Sequence, residues 1–325
     1  MLLHNNQKDD IYFSNMEFHT TIKKQITMSM KYVVTGSLGN ISKPLAEKLV
    51  AAGHEVIVVS SNPEKAAEIE KLGAKAAIGT VQDVAFLSKT FEGADALYTM
   101  VPPHFGATDW KKHIAGVGEN YAAAIKVSGV KNVVNLSSIG AHMPEGCGPV
   151  SGLYFVEKAL NELNGVNVKH LRPGFFYTNF LANLGMIKHM GIIGGNYGEG
   201  TTLTIVHPDD IAEVAAPELL ALSFSGKSYR YIMSDEKTTH EVAAVLGKSI
   251  GKPELPWVNF SDEQTLGGMV QAGIPEEIAK NYAEMGGAIR SGEMSSDYLK
   301  NKPAEFGKTK LDDWAPVFAA IYAQS

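Results

Sequence analysis

The sequence predicts an α/β protein: a doubly wound parallel sheet with a smaller, mostly helical C-terminal lobe. Three observations predict it. Short β-branched runs alternate with helical stretches from residue 31 onward. Each run is nearly apolar, as strands covered on both faces must be. The first run opens onto a glycine turn that leads at once into a helix.

The elements follow in order. Tyr32-Val33-Val34 is a strand, and residues 44–52 form a helix stopped near Gly53. Val56 to Val59 is the next strand, followed by a helix from Pro63 to Leu72 with Gly73 as its stop. Ala76 to Ile78, Ala96 to Val101, Asn132 to Leu136 and Val166 to Leu171 are further strands. Helices near 83–92, 110–127 and 154–163 separate them. After Pro173 the rhythm changes. Glycines crowd residues 185–200, a helix starts at Pro208 with an acidic first turn, a strand spans Ser228 to Met233 and a helix spans Thr239 to Ile250. Gly251, Pro253 and Pro256 mark a break before a mostly helical tail. The expected division is a nucleotide-type domain over 31–174 and a lobe over 175–325, from which some segments return to the main sheet.

With 325 residues, 45% of them hydrophobic, the chain buries a large core without staples. A net charge of −6 excludes a general nucleic-acid binder, which needs a basic face. The single cysteine, Cys147, forms no internal disulfide or cysteine cluster, and a reducing cytoplasm is its simplest home. No apolar run reaches the roughly 18–20 residues that cross a bilayer. Residues 1–30 lack the apolar stretch of a secretory signal, and Asp9 and Asp10 disfavour a transit peptide. They are expected to be a poorly ordered extension.

The glycine turn carries the strongest local signal: Thr35-Gly36-Ser37-Leu38-Gly39-Asn40-Ile41-Ser42. Gly36 permits the tight turn, and Gly39 the close approach of a pyrophosphate to backbone N–H groups at a helix N-terminus. The spacing is G-x-x-G-x-x-S, with Ser42 in place of a third glycine. A βα loop without a ligand is the plainer alternative, but the strand–turn–helix context favours a dinucleotide. No acid stands at the end of the second strand to hold a ribose 2′-hydroxyl, while Ser61, Asn62 and Lys65 could hold a 2′-phosphate. NADP is preferred over NAD on that ground.

Taken together, Thr35-Gly36-x-x-Gly39, Ser61-Asn62-Pro63-Glu64-Lys65, Gly79-Thr80-Val81-Gln82-Asp83 and Leu171-Arg172-Pro173-Gly174-Phe175-Phe176 resemble the NmrA-like proteins. These are atypical members of the short-chain dehydrogenase/reductase superfamily. Val206-His207-Pro208-Asp209-Asp210 resembles that family's later helix start. The resemblance implies a Rossmann domain with a substrate cleft facing the C-terminal lobe. It also implies that Ser37, Leu38, Gly39, Asn40 and Ile41 line the pyrophosphate, with Asp83 near the adenine and Val101-Pro102 near the ribose. Phe175 and Phe176 would approach the nicotinamide. Family members include quinone reductases, and redox sensors that bind the nucleotide without turning it over. Ser61 replaces a frequent Arg, which leaves cofactor preference open.

For catalysis, main-group members of the superfamily use a Ser and a Tyr-x-x-x-Lys pair. The Lys charge lowers the tyrosine pKa. This chain offers Ser137-Ser138 at a strand end and Tyr154 and Lys158 one turn apart on the next helix. Ser137 also belongs to the expected cofactor-binding set. The register argues the other way: relatives place this Lys about one helical turn earlier, and Glu157 matches a family position. Tyr154 as packing and Lys158 as solvated surface is therefore an equal reading. His104 and His142 are expected in loops, His170 in a satisfied core position, Asp209 and Asp210 as helix caps, and Arg172 as an anchor for the loop after its strand. Cys147, among Pro144, Gly146, Gly148 and Pro149, is expected in a flexible loop that leaves it open to reaction, with nothing nearby to lower its pKa. No residues show metal-ligand spacing.

The function expected is an NAD(P)H-dependent reductase passing hydride to a small apolar acceptor such as a quinone. The alternatives are a nucleotide-binding sensor that acts through a protein partner, and an epimerase-like enzyme with a firmly held cofactor. A homodimer is compatible with any of them.

Overall fold

A computed structural model describes residues 29–325. All but Ser29 and Met30 of the expected N-terminal extension lies outside the described residues. Nine alternating elements open the fold: β1 (Lys31–Val34), α1 (Ser42–Ala51), β2 (Glu55–Ser60), α2 (Ala66–Lys71), β3 (Lys75–Ile78), α3 (Val84–Phe91), β4 (Ala96–Thr99), α4 (Trp110–Ser128) and β5 (Asn132–Leu136). α5 (Pro149–Asn161) and β6 (Asn167–Pro173) complete the series.

The strands form a seven-stranded sheet in the order β3-β2-β1-β4-β5-β6, closed at the outer edge by a strand from much later in the chain. Every pairing in it is parallel. The order reverses between β1 and β4, where a doubly wound sheet opens a ligand crevice at its carboxyl edge. Leu45 and Leu49 of α1 are wholly buried against one face. Leu87 and Phe91 of α3, Val117 and Tyr121 of α4, and Val156 and Leu160 of α5 cover the other. Each such side chain contributes roughly 1.5–3 kcal/mol. α4 and α5 approach so closely that a Cβ at Gly118 would stand 2.7 Å from the Val156 Cα, which is why glycine is needed there.

Several boundaries depart from expectation. β4 stops at Thr99 rather than Val101, because the Met100 amide turns to Thr35 Oγ1 (2.9 Å). Residues 63–65 form a 3₁₀ turn capped by Asn62, and the α-helix begins only at Ala66. α5 begins five residues before Tyr154, with Pro149 in its first turn, where a missing N–H costs nothing.

Beyond β6 come β7 (Phe175–Phe176), α6 (Leu184–Met190), β8 (Ile193–Gly195), β9 (Thr202–Val206) and α7 (Pro208–Ala221). They are followed by β10 (Lys227–Ile232), β11 (Asp235–Thr238), α8 (Thr239–Ser249) and β12 (Trp257–Asn259). α9 (Asp262–Gln271), α10 (Glu276–Ser291), α11 (Ser296–Lys300) and α12 (Leu311–Gln324) end the chain. β10 is the late strand that pairs with β6, and α7 packs on the same core as α1. The lobe has its own small sheets, β11-β9-β7 and β12-β8, and its own core around Tyr177, Phe180, Leu246 and Phe318. Among the described residues, no helix is long and apolar enough to cross a membrane.

Candidate active site

The turn after β1 is held from three sides. The Thr35 amide donates to the Tyr98 carbonyl (3.0 Å), and Ser42 Oγ donates back to the Thr35 carbonyl (2.8 Å). The Ser37 amide donates to the Val59 carbonyl (2.9 Å), and its hydroxyl donates to Ser60 Oγ (2.9 Å). Gly36 has φ +95°, and a Cβ there would meet Ser42 Oγ at 2.6 Å and Met100 at 2.8 Å. The Leu38, Asn40 and Ile41 amides find no partner among the described residues. They sit just before α1, whose entry has no side-chain cap. Free N–H groups at a helix N-terminus are what a pyrophosphate needs. The turn therefore fits a dinucleotide.

At the end of β2, Ser61 and Asn62 are exposed, and Asn62 Oδ1 accepts from the Glu64 amide (2.9 Å). Lys65 is joined to Glu68 (2.8 Å), and Lys43 approaches the same carboxylate at 3.9 Å. Lys65, expected to help hold a 2′-phosphate, is thus already partnered, and sequence reasoning missed Lys43 beside it. Both are partly solvated, so these pairs are weak. Asp83 caps α3 by accepting from the Phe86 amide (3.0 Å). Val101 and Pro102 follow β4 half-buried. Phe175 packs with Phe180 and Tyr197 in the lobe core, while Phe176 packs against the core beneath α1. Neighbouring strand residues point to opposite faces, so the two rings part company.

Ser137 follows β5 directly and is buried. Its hydroxyl donates to Glu157 Oε1 (2.6 Å). Arg172 grips the same carboxylate through Nη2 (2.6 Å) and Nε (2.9 Å). Arg172 also reaches Asp297 Oδ2 (3.2 Å) and the Tyr231 hydroxyl (3.3 Å). Burial alone would lower the guanidinium pKa, but the hydrogen bonds and charge of Glu157 prevail and hold it above its ordinary value. Arg172 is therefore the centre of a buried network and not only a loop anchor.

The structure does not join Tyr154 and Lys158 to this network. Lys158 is exposed and paired with Glu162 (3.0 Å), a contact that raises its ammonium pKa. Tyr154 is half-buried against Phe155, and its hydroxyl makes no hydrogen bond among the described residues. The phase of α5 turns Glu157 inward and Lys158 outward.

The other candidates are resolved by their surroundings. His170 accepts from Asn135 Nδ2 (3.1 Å) and donates from Nε2 to Asn161 Oδ1 (3.0 Å), so the neutral ring satisfies both. Burial pushes its pKa down to about 4. His142 meets Ser296 Oγ (3.1 Å), and His104 stacks on His113 at 4.7 Å. Two expectations are corrected. Cys147 is fully buried against Gly140 rather than open to reaction in a flexible loop, and burial pushes its thiol up to about 12. His207, not either aspartate, caps α7, accepting from the Asp209 amide (3.2 Å). Asp210 faces inward from the first turn and is buried. Among the described residues, no group of three or more His, Cys, Asp or Glu could hold a metal ion.

Fold and turn together define a Rossmann-type protein with an open amide turn at the switch point of its sheet. Residues 36–167 match the family model described as NAD(P)H-binding. Over 297 residues the chain is 24% identical to the (4-alkanoyl-5-oxo-2,5-dihydrofuran-3-yl)methyl phosphate reductase of Streptomyces griseus, covering 90% of this chain and 99% of that protein. The structure of the NADPH-dependent quinone oxidoreductase of Escherichia coli, complexed with NADPH, superposes with a TM-score of 0.74. It is 23% identical and covers 87% of this chain and 98% of that one. The negative transcriptional regulator NmrA, solved with NADP, superposes at 0.68, with 14% identity and coverage of 92% and 98%. Residues 36–167 thus match an NAD(P)H-binding domain, and the chain as a whole shares the fold of these neighbours.

Proposed function

We propose that the protein is an NAD(P)H-dependent reductase that passes hydride to a small apolar acceptor of the quinone type. The observation that carries this reading is the turn after β1, whose Leu38, Asn40 and Ile41 amides are free beside the switch point of the sheet. When bound, the dinucleotide supplies the hydride. The turn holds its pyrophosphate, Lys43 and Lys65 attract a 2′-phosphate once Glu68 yields, and NADPH is the preferred form. Residues 175–325 supply the acceptor side, where Phe175 offers an aromatic wall beside Tyr197. An apolar wall orients a flat acceptor and excludes water, which accounts for much of the rate without a strong acid. The names of the reductases above support this reading.

A nucleotide-binding regulator is the second reading, and one observation favours it. Lys158 is spent on Glu162, and the Ser137 proton on Glu157, so two of the three members of the superfamily's Ser-Tyr-Lys set are engaged elsewhere. NADPH and NADH titrations, followed by a quinone panel with absorbance at the reduced nicotinamide band, separate the two. Acceptor-dependent oxidation supports the reductase. Binding without oxidation supports the regulator, and no binding overturns both.

A further inference from the structure

A serine hydroxyl has one proton to give, and the structure fixes where that of Ser137 goes. Ser137 follows β5 directly at the carboxyl edge of the sheet, its amide tied to the Leu171 carbonyl (2.7 Å) and only 5% of its surface exposed. Its Oγ lies 2.6 Å from Glu157 Oε1. Arg172 places two N–H donors on that carboxylate, one on each oxygen, in the forked geometry that leaves it an acceptor. The carboxylate cannot swing away, because Arg172 is itself fixed. Its Cζ lies 4.1 Å from the centre of the Tyr229 ring, and its Nη1 reaches Tyr231 and Asp297. Tyr231 in turn donates to Asp297 Oδ2 (2.6 Å).

With its proton committed inward, the hydrogen-bonding capacity left to Ser137 is its lone pairs. We propose that Glu157, held by Arg172, is a positioning residue that makes Ser137 a hydrogen-bond acceptor for the carboxamide N–H of a bound nicotinamide, rather than a proton donor to the substrate. The proposal rests on the dinucleotide-binding reading above. It assigns Ser137 a role in ring orientation: the carboxamide is held by its N–H end, which fixes which face of the ring meets the lobe. Protonation of the reduced acceptor then falls to solvent or to a group other than Ser137.

The test uses the full-length protein, NADP⁺ and its 3-acetylpyridine analogue, in which a methyl group replaces the carboxamide NH₂. Dissociation constants come from isothermal titration calorimetry, with thermal melting as a check on folding. The wild type is expected to bind NADP⁺ about three- to tenfold more tightly than the analogue, the range of one hydrogen bond. Ser137→Ala brings the two constants together, and Ser137→Thr restores the difference. In Glu157→Gln an amide N–H can take the Ser137 oxygen and turn its proton outward, which shifts preference toward the acetyl group. A purely structural role for Glu157 would weaken both ligands equally and would overturn the proposal, as would a Ser137→Ala ratio equal to that of the wild type. If Glu157→Gln does not fold, the two Ser137 variants decide the matter. Wild type that binds both dinucleotides equally overturns this inference alone. Wild type that binds neither overturns the dinucleotide reading beneath it.

Discussion

Asp210 and Thr309 are joined twice: the Thr309 amide donates to Asp210 Oδ2 at 3.0 Å and its hydroxyl to Oδ1 at 3.2 Å. Ser234 Oγ adds a third donor at 2.6 Å. One carboxylate on α7 thus ties down the segment before α12, which also receives the Tyr177 hydroxyl at the Thr309 carbonyl. Asp210→Ala strands three donors, two of them on that segment, and is expected to cost about 2–4 kcal/mol. Urea denaturation measures it; a loss below half a unit would show that the segment holds without Asp210.

Gly36→Ala places a methyl group where Ser42 Oγ and Met100 already stand and forces a left-handed residue. The variant is expected to lose dinucleotide affinity by at least roughly tenfold, a change of about 1.4 kcal/mol. Calorimetric titration with NADPH checks this, and unchanged affinity would separate the turn from the binding site.

His170 makes stability depend on acid. Its folded pKa is about 4 against an ordinary value of 6.5, so the unfolded chain binds the extra proton first as pH falls. Stability is fully present above the unfolded value and is lost as pH drops from there toward 4. At pH 5 the loss from this residue is about 2 kcal/mol. Denaturation at pH 7 and pH 5 should show it, and His170→Gln should flatten that part of the difference.

Cys147, buried and with its thiol raised to about 12, is expected to ignore a disulfide reagent at pH 8 while the protein is folded. In urea it should react fully. Rapid reaction of the native protein would mean that the loop before α5 opens.

The main sheet was legible because strands covered on both faces must be apolar throughout, and Val33-Val34 or Val133-Val134 can be little else. The small lobe sheet was not. Asp235–Thr238 is a strand of polar residues that exists only because it pairs with β9. The glycine turn was legible as a strand–turn–helix with a left-handed glycine at Gly36, because both glycines stand between an apolar run and a helical stretch. The network around Arg172 was not, because it joins α5, β6, β10 and α11, which the sequence keeps far apart. Whether Glu157 or Lys158 faces inward depends on the rotation of α5. That rotation is set by contacts with α4 at Gly118 and Gly152, not by anything local to residues 154–158.

The late return of β10 to the edge of β6 has a consequence for any attempt to treat the nucleotide-binding half as a portable module. A fragment cut after Gly174 would leave the outer hydrogen-bonding groups of β6 bare over Val168 to Pro173, a ready template for strand-to-strand aggregation. It would also lose α7 from the face that α1 shares. A chimera that grafts this half onto a foreign lobe must therefore carry residues 208–232 with it, so the two halves of the gene are spliced together in space and cannot be exchanged by a single crossover.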